Sequence, residues 1–230
     1  MLIRKHILRT FLLLSIIFTS ASVHAALIKS YDFNGNLSDT LLNGNDLVAS
    51  GGTINAGRYE FTNNQGLQLS SALENINEYA IEIKFQTNTD SSGYSKLIDY
   101  DNLGLDEGLY IFNGGVTFFG NTTTTAGNIP LNTDVIVAIS RSADVISVYL
   151  NNTFLFSASD DIGRAVPADN NLNFFEDDTF TIQRESFAGS VDYIRIYNEP
   201  TTFVPVPAAV WLFGSALLGL VGYSKRKSIT

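Results

Sequence analysis

The chain has 230 residues, and 23 Asp and Glu against 14 Lys and Arg give it a net charge of −9. It has no cysteine and only two histidines, His6 and His24, so the rest of the chain lacks the side chains for thiolate sites, disulfides, ordinary zinc sites and Ser-His or Cys-His nucleophiles. All 23 acidic residues lie between Asp32 and Glu199, and the stretch 26–200, with 8 basic residues, carries a net −15, a charge that repels nucleic acid and anionic lipid.

In chain order, Arg4, Lys5 and Arg9 precede a short apolar core, Phe11 to Phe18, and then the small residues Val23 and Ala25. Basic, apolar and small-residue regions in that order predict a signal peptide over residues 1–25, cleaved after Ala25, and hence export. The stretch 26–199 then suits one domain with its own core.

Within it, YAIEIKFQT puts Tyr79, Ile81, Ile83 and Phe85 on one face and Glu82, Lys84 and Gln86 on the other, the period-two pattern of a half-buried strand. GLYIFNGGVTFFG predicts a hairpin turning at Asn113 and Gly114. DVIVAISRS and ADVISVYLNNTFLFSAS follow, the latter with a hairpin at Asn151 and Asn152. No segment between residues 26 and 200 keeps a helical period for ten residues. The reading is an all-β fold, an antiparallel two-sheet jelly-roll sandwich.

Four segments in order, YDFNGNLSDTLLNGNDLVASGG, YAIEIKFQT, VIVAISRSADVISVYLNN and AGSVDYIRIYN, resemble a laminin G-like domain of the concanavalin A-like lectin and glucanase superfamily. The resemblance spans nearly all of residues 27–198 and implies calcium at the rim of the sandwich. Asp177, Asp178 and Glu185 in the loop before the last strand, joined by Asp32 from the first, are the candidate ligands, since calcium takes several oxygen donors at flexible geometry. A solvated acidic loop is the alternative reading. Asp99, Asp101, Asp106 and Glu107 form a second acidic loop.

Glycoside hydrolysis needs two carboxylates in defined roles. The superfamily's glucanases carry theirs on one strand as a Glu-x-Asp-x-Glu run, and the matching strand here offers only Glu82. A non-enzymatic protein is therefore expected. A lectin-like role would use exposed aromatic rings, for which Tyr94, Tyr100 and Tyr110 are candidates, with core packing as the other reading. The Asn-x-Ser/Thr triplets at Asn36, Asn121 and Asn151 read as turn and loop chemistry.

The chain closes on a proline-rich spacer, 200–207, then an apolar run, Ala208 to Tyr223, then Lys225, Arg226 and Lys227. As a helix the run would reach about 24 Å at ~1.5 Å per residue, a marginal membrane span, and the basic cluster is a stop-transfer signal keeping residues 224–230 on the cytoplasmic side. Val204, Pro205, Val206, Pro207 and Ala208, followed by Trp211, a glycine-bearing helix and a basic tail, resemble the PEP-CTERM sorting signal in its Val-Pro-x-Pro-Ala variant. By that resemblance an exosortase-type membrane protease is the partner, and the protein is exported through the inner membrane of a Gram-negative bacterium, held there through residues 208–223 and released to the surface or an exopolysaccharide matrix. A plain single-pass anchor is the alternative. A non-enzymatic surface or matrix role is the leading reading, with a carbohydrate-binding module that takes extracellular polysaccharide as the alternative and a glycoside hydrolase ranked below both; nucleic acid is not expected as a partner.

Overall fold

The computed structural model describes residues 25–89 and 92–203. Leader residues 1–24, the sorting motif Val204 to Ala208, the apolar run and the Lys225, Arg226, Lys227 cluster lie outside the described residues.

Fourteen strands follow in order: β1 (Leu27–Tyr31), β2 (Val48–Ala49), β3 (Thr53–Asn55), β4 (Arg58–Phe61), β5 (Leu67–Leu69), β6 (Glu78–Thr87), β7 (Tyr94–Asp99), β8 (Gly108–Phe112), β9 (Gly115–Phe119), β10 (Val135–Ser142), β11 (Val145–Leu150), β12 (Thr153–Ser159), β13 (Leu172–Phe174) and β14 (Gly189–Tyr197). A single 3₁₀ turn, Ala168–Asn170, is the only helical element among the described residues. All named strand pairs are antiparallel.

The first sheet runs β12-β11-β10-β6-β14-β4-β3, and the second β2-β5-β13-β7-β8-β9. β1 shares an edge of β14 with β4: β1 pairs residues 194–197, β4 pairs residues 189–191. The two sheets form a β-sandwich, and the long central strands behave as their alternation predicts. Tyr79, Ile81, Ile83 and Phe85 of β6 are buried in the core, where Leu97, Leu109, Ile111, Val116 and Phe118 of the second sheet are buried as well. Both predicted hairpins form. Asn113 and Gly114 take φ 49° and 81°, and Asn151 and Asn152 take 49° and 62°, the left-handed pair that a two-residue hairpin turn requires.

A buried guanidinium interrupts the apolar pattern of the core. Arg141 of β10 pairs opposite Tyr79 on the inward face and is 2% exposed. Its Nε donates to Asp160 Oδ2 at 2.7 Å and its Nη1 to the Asn77 carbonyl at 2.9 Å, so the charge is matched where it is buried. Asp160 also accepts from Asn121 Nδ2 at 2.7 Å, tying the end of β12 to the loop after β9 across the sandwich.

The loop between β13 and β14 is pinned at both ends. Phe175 and Phe187 enter the core, 6.0 Å apart, and pack on Phe61 at 4.6 and 5.3 Å. Residues 176–186 must therefore bulge from fixed feet, and the chain folds them back onto β7.

Candidate functional site

The fold-back sets Asp177 and Asp178 around an ammonium, with Glu185 joined to them through its backbone. Lys96, on the outward side of β7, is wholly buried. Its Nζ donates to Asp178 and, at 3.3 Å, to Asp99 Oδ2, and lies 3.8 Å from Asp177 Oδ1. The Lys96 amide donates to the Glu185 carbonyl at 2.8 Å, while Asp177 Oδ2 accepts from the Glu185 amide at 2.7 Å and from Thr181 Oγ1 at 2.8 Å. Lys96 Nζ also sits 4.9 Å from the Tyr110 ring centroid, and Tyr110 donates to Asp106 Oδ1 at 2.8 Å.

Two acidic loops that are far apart in sequence thus meet in one cluster, with Asp99 and Asp106 from the first and Asp177, Asp178 and Glu185 from the second. Burial, then the charges of Asp106, Asp177 and Asp178, push the Glu185 carboxyl up to about 7. Burial also raises Asp99. Asp178 goes the other way: burial pushes it up, but Lys96 and the Thr181 and Phe180 amides together bring it below the usual carboxylate range. Asp177 Oδ1 and Glu185 Oε2 are buried without a hydrogen-bond partner among the described residues.

The remaining acidic candidates lie elsewhere. Asp32 follows β1 and accepts from Ser30 Oγ at 3.2 Å and Thr40 Oγ1 at 3.1 Å, sharing no hydrogen bond or ion pair with the Lys96 cluster. Glu107 pairs with Arg164 Nε at 2.5 Å. Asp101 keeps its side chain out of the cluster's hydrogen bonds, and its carbonyl closes a turn with the Gly104 amide at 2.9 Å. Glu82, the acidic residue of β6 compared with the glucanase run, is 7% exposed and lies 3.4 Å from Arg195 Nη1.

Next to the cluster, on the same outward face of the second sheet, lies an aromatic shelf. The registers Tyr94↔Phe112, Lys96↔Tyr110, Tyr110↔Thr117 and Gly108↔Phe119 place these side chains on one face. Tyr94 stacks on Phe112 at 4.2 Å with an interplanar angle of 26°, and meets Phe119 edge-on at 5.3 Å. All three rings are half-buried and line an open cleft of about 780 Å³ with Thr117, Asn121 and Thr122. Of the three tyrosines singled out in the sequence, Tyr94 belongs to this shelf. Tyr100 and Tyr110 are buried, and Tyr110 serves as the ring linking the shelf to the Lys96 cluster.

Sequence reasoning missed Phe112 and Phe119. The signal for Phe119 was available in Phe118-Phe119, because consecutive strand residues face opposite sides and one ring of the pair must point outward. Phe118 is wholly buried and Phe119 is on the shelf.

A second cleft, of about 670 Å³, opens on the outer face of the first sheet. Thr53↔Glu60, Glu60↔Ser190 and Ser190↔Gln86 form one cross-strand row over β3, β4, β14 and β6. Arg58 closes one side, its Nη2 2.9 Å from Asp134 Oδ1 and its Nε donating to Ser190 Oγ at 2.9 Å. Gly189 forms part of the wall, where a Cβ would stand 2.4 Å from the Gln86 carbonyl oxygen.

No protein-family model and no curated protein sequence matches the chain. Solved structures do share its fold. Domain 4 of AbnA, a GH43 extracellular arabinanase from Geobacillus stearothermophilus solved in complex with arabinotriose, superposes with a TM-score of 0.58 at 18% identity, over 78% of this chain and 95% of that one. Trypanosoma rangeli sialidase in complex with 2,3-difluorosialic acid gives 0.60 at 13% identity, over 77% of this chain and 31% of the sialidase. The binding domain of botulinum neurotoxin serotype D gives 0.57 at 14%, over 77% of this chain and 49% of that one. These likenesses place the chain among β-sandwich domains and define its fold.

Proposed function

We propose that the protein is a non-catalytic carbohydrate-binding sandwich of the concanavalin A-like jelly-roll kind, exported to the surface or matrix of a Gram-negative bacterium that makes extracellular polysaccharide. The observation that carries the reading is the shelf of Tyr94, Phe112 and Phe119 beside Thr122, Thr123 and Thr125. Sugar rings offer apolar C–H faces and hydroxyl edges, and half-exposed rings next to hydroxyl groups complement both. The arabinotriose held by the AbnA domain supports a neutral saccharide as the first probe. Removal of the tail by an exosortase-type protease at Val204 to Ala208, after stop-transfer at Lys225, Arg226 and Lys227, belongs to the same reading.

The test is a glycan array with arabino-oligosaccharides and neutral glucans, run on the wild type and on Phe112→Ala. Saturable binding weakened about tenfold by the substitution, the scale of a ~1.4 kcal/mol contact, is the expected result. Equal binding by the two proteins removes the shelf from the function. Calcium enters as a competitor of Lys96 for the Asp177, Asp178 and Glu185 carboxylates. A divalent ion that binds the folded state must raise Tm, so an unchanged Tm in excess calcium leaves the cluster to Lys96.

A further inference from the structure

The two clefts lie on opposite outer faces of the sandwich, and the second differs chemically from the shelf. Its row of Thr53, Glu60, Ser190 and Gln86 runs across four strands at about 4.8 Å per strand, giving a polar track rather than a point site. The only ring in its lining is Phe61, which is 3% exposed, so a ligand there gains little from stacking. Planar hydrogen-bonding groups take the place of rings. The Gln86 and Asn88 amides line the cleft and make no side-chain hydrogen bond among the described residues, and each offers a donor and an acceptor. Arg58 is engaged by Asp134 and Ser190, so its charge is already matched. Glu60 and Asp134 then leave the lining with surplus negative charge, which disfavours sulfated or uronic polymers.

We propose that this cleft is a second glycan site, for an extended neutral polysaccharide held by hydrogen bonds along Glu60, Ser190, Gln86 and Asn88, and that the domain with both faces occupied bridges two polysaccharide chains. The bridging rests on the shelf being the first site; the cleft itself does not. Bridging two strands raises avidity without any new contact, because the second capture occurs at a high effective concentration. A matrix protein with two such faces would act as a crosslinker.

The experiment uses the purified full chain with linear arabinan and a linear neutral glucan as probes, and polygalacturonate as the acidic control. Stoichiometry by calorimetry with short oligomers of the probes and turbidity with the polymers are measured for wild type, Phe112→Ala, the double variant Gln86→Ala/Asn88→Ala, and the combination. Unchanged circular dichroism and Tm establish that each variant is folded. The expected result is two sites and turbidity in the wild type, one site and no turbidity in either cleft variant, no binding in the combination, and no binding of polygalacturonate. If Gln86→Ala/Asn88→Ala keeps the wild-type stoichiometry and turbidity, the second site is overturned while the shelf stands. If Phe112→Ala changes nothing and the double variant removes all binding, the shelf falls, the cleft stands and bridging is overturned. A wild type that binds neither probe overturns both sites.

Discussion

Lys96 is the residue on which the rim depends. Its ammonium is wholly buried among Asp99, Asp177 and Asp178, and it pairs with two of the carboxylates expected to hold calcium. Removing one partner of such a buried set leaves uncompensated charge, so Lys96→Met is expected to cost about 3 to 5 kcal/mol of stability in urea denaturation. A loss under ~1 kcal/mol would show that water reaches the cluster and solvates the carboxylates. Glu185 gives the same cluster a pH signature. Its carboxyl is raised from 4.5 to about 7 on folding, so between those values the folded state holds a proton that the unfolded state has lost. Stability from this group is full below about 4.5 and falls as pH rises towards 7. Asp99, also raised, acts in the same sense, and Asp178, lowered, acts in the opposite sense at acid pH. Tm measured from pH 5 to pH 8 should fall, and Glu185→Gln should flatten that slope; an unchanged slope in the variant places its origin elsewhere.

Among the elements, β10, β12 and the loop after β9 meet at Asp160, which accepts from Arg141, from the Ala165 amide at 3.2 Å and from Asn121. Asp160→Ala orphans a buried guanidinium and should cost about 3 to 5 kcal/mol by urea denaturation. Because Asn121 lines the shelf cleft, the milder Asp160→Asn should weaken saccharide binding at fixed temperature even where the protein stays folded. Binding equal to wild type would mean that Asn121 needs no such support. The sheet order in which these elements meet was only partly legible in the sequence. β6, β10 and the β8-β9 and β11-β12 hairpins could be read because alternation and left-handed turn residues are local signals. β2, β3, β5 and β13 have two or three residues each, too few to show a period, and what places them is pairing with strands distant in sequence, as β13 pairs with β5 and β7. The site was legible in the same proportion. Asp177, Asp178 and Glu185 sit in one loop and announce themselves, whereas Lys96 is about 80 residues away and reaches them only through the fold-back set by Phe175 and Phe187. Asp32, expected to join them from the first strand, accepts hydrogen bonds from Ser30 and Thr40 instead of sharing one with the Lys96 cluster.

At the scale of the whole molecule, the two ends of the sandwich meet. The Ala26 amide nitrogen donates to Asn198 Oδ1 at 3.0 Å, and the Asn198 amide donates to the Ala26 carbonyl at 3.1 Å. Beyond Asn198 the chain lies on the outer face of the first sheet, where the Thr201 amide donates to Ser140 Oγ at 3.0 Å and Phe203 packs between Tyr149 and Tyr197 at 5.6 and 5.7 Å. The expected signal-peptidase bond after Ala25 and the expected sorting motif from Val204 thus flank one seam, the first directly before Ala26 and the second directly after Phe203. Cleavage at both would trim flanking sequence and leave the hydrogen bonds of the seam in place. Intact-mass measurement on protein from native cells should give a chain that begins at Ala26, keeps Phe203 and lacks Lys225, Arg226 and Lys227. A mass that retains the basic cluster would make the tail a permanent anchor. Phe203→Ala tests the seam itself: with Phe203 half-buried against Tyr149 and Tyr197, the loss should be about 1 to 2 kcal/mol, against ~3 to 5 for a fully enclosed ring. Protease digestion should then cut the spacer faster while the Tm of the sandwich moves little, and a large fall in Tm would show that the strap is part of the core.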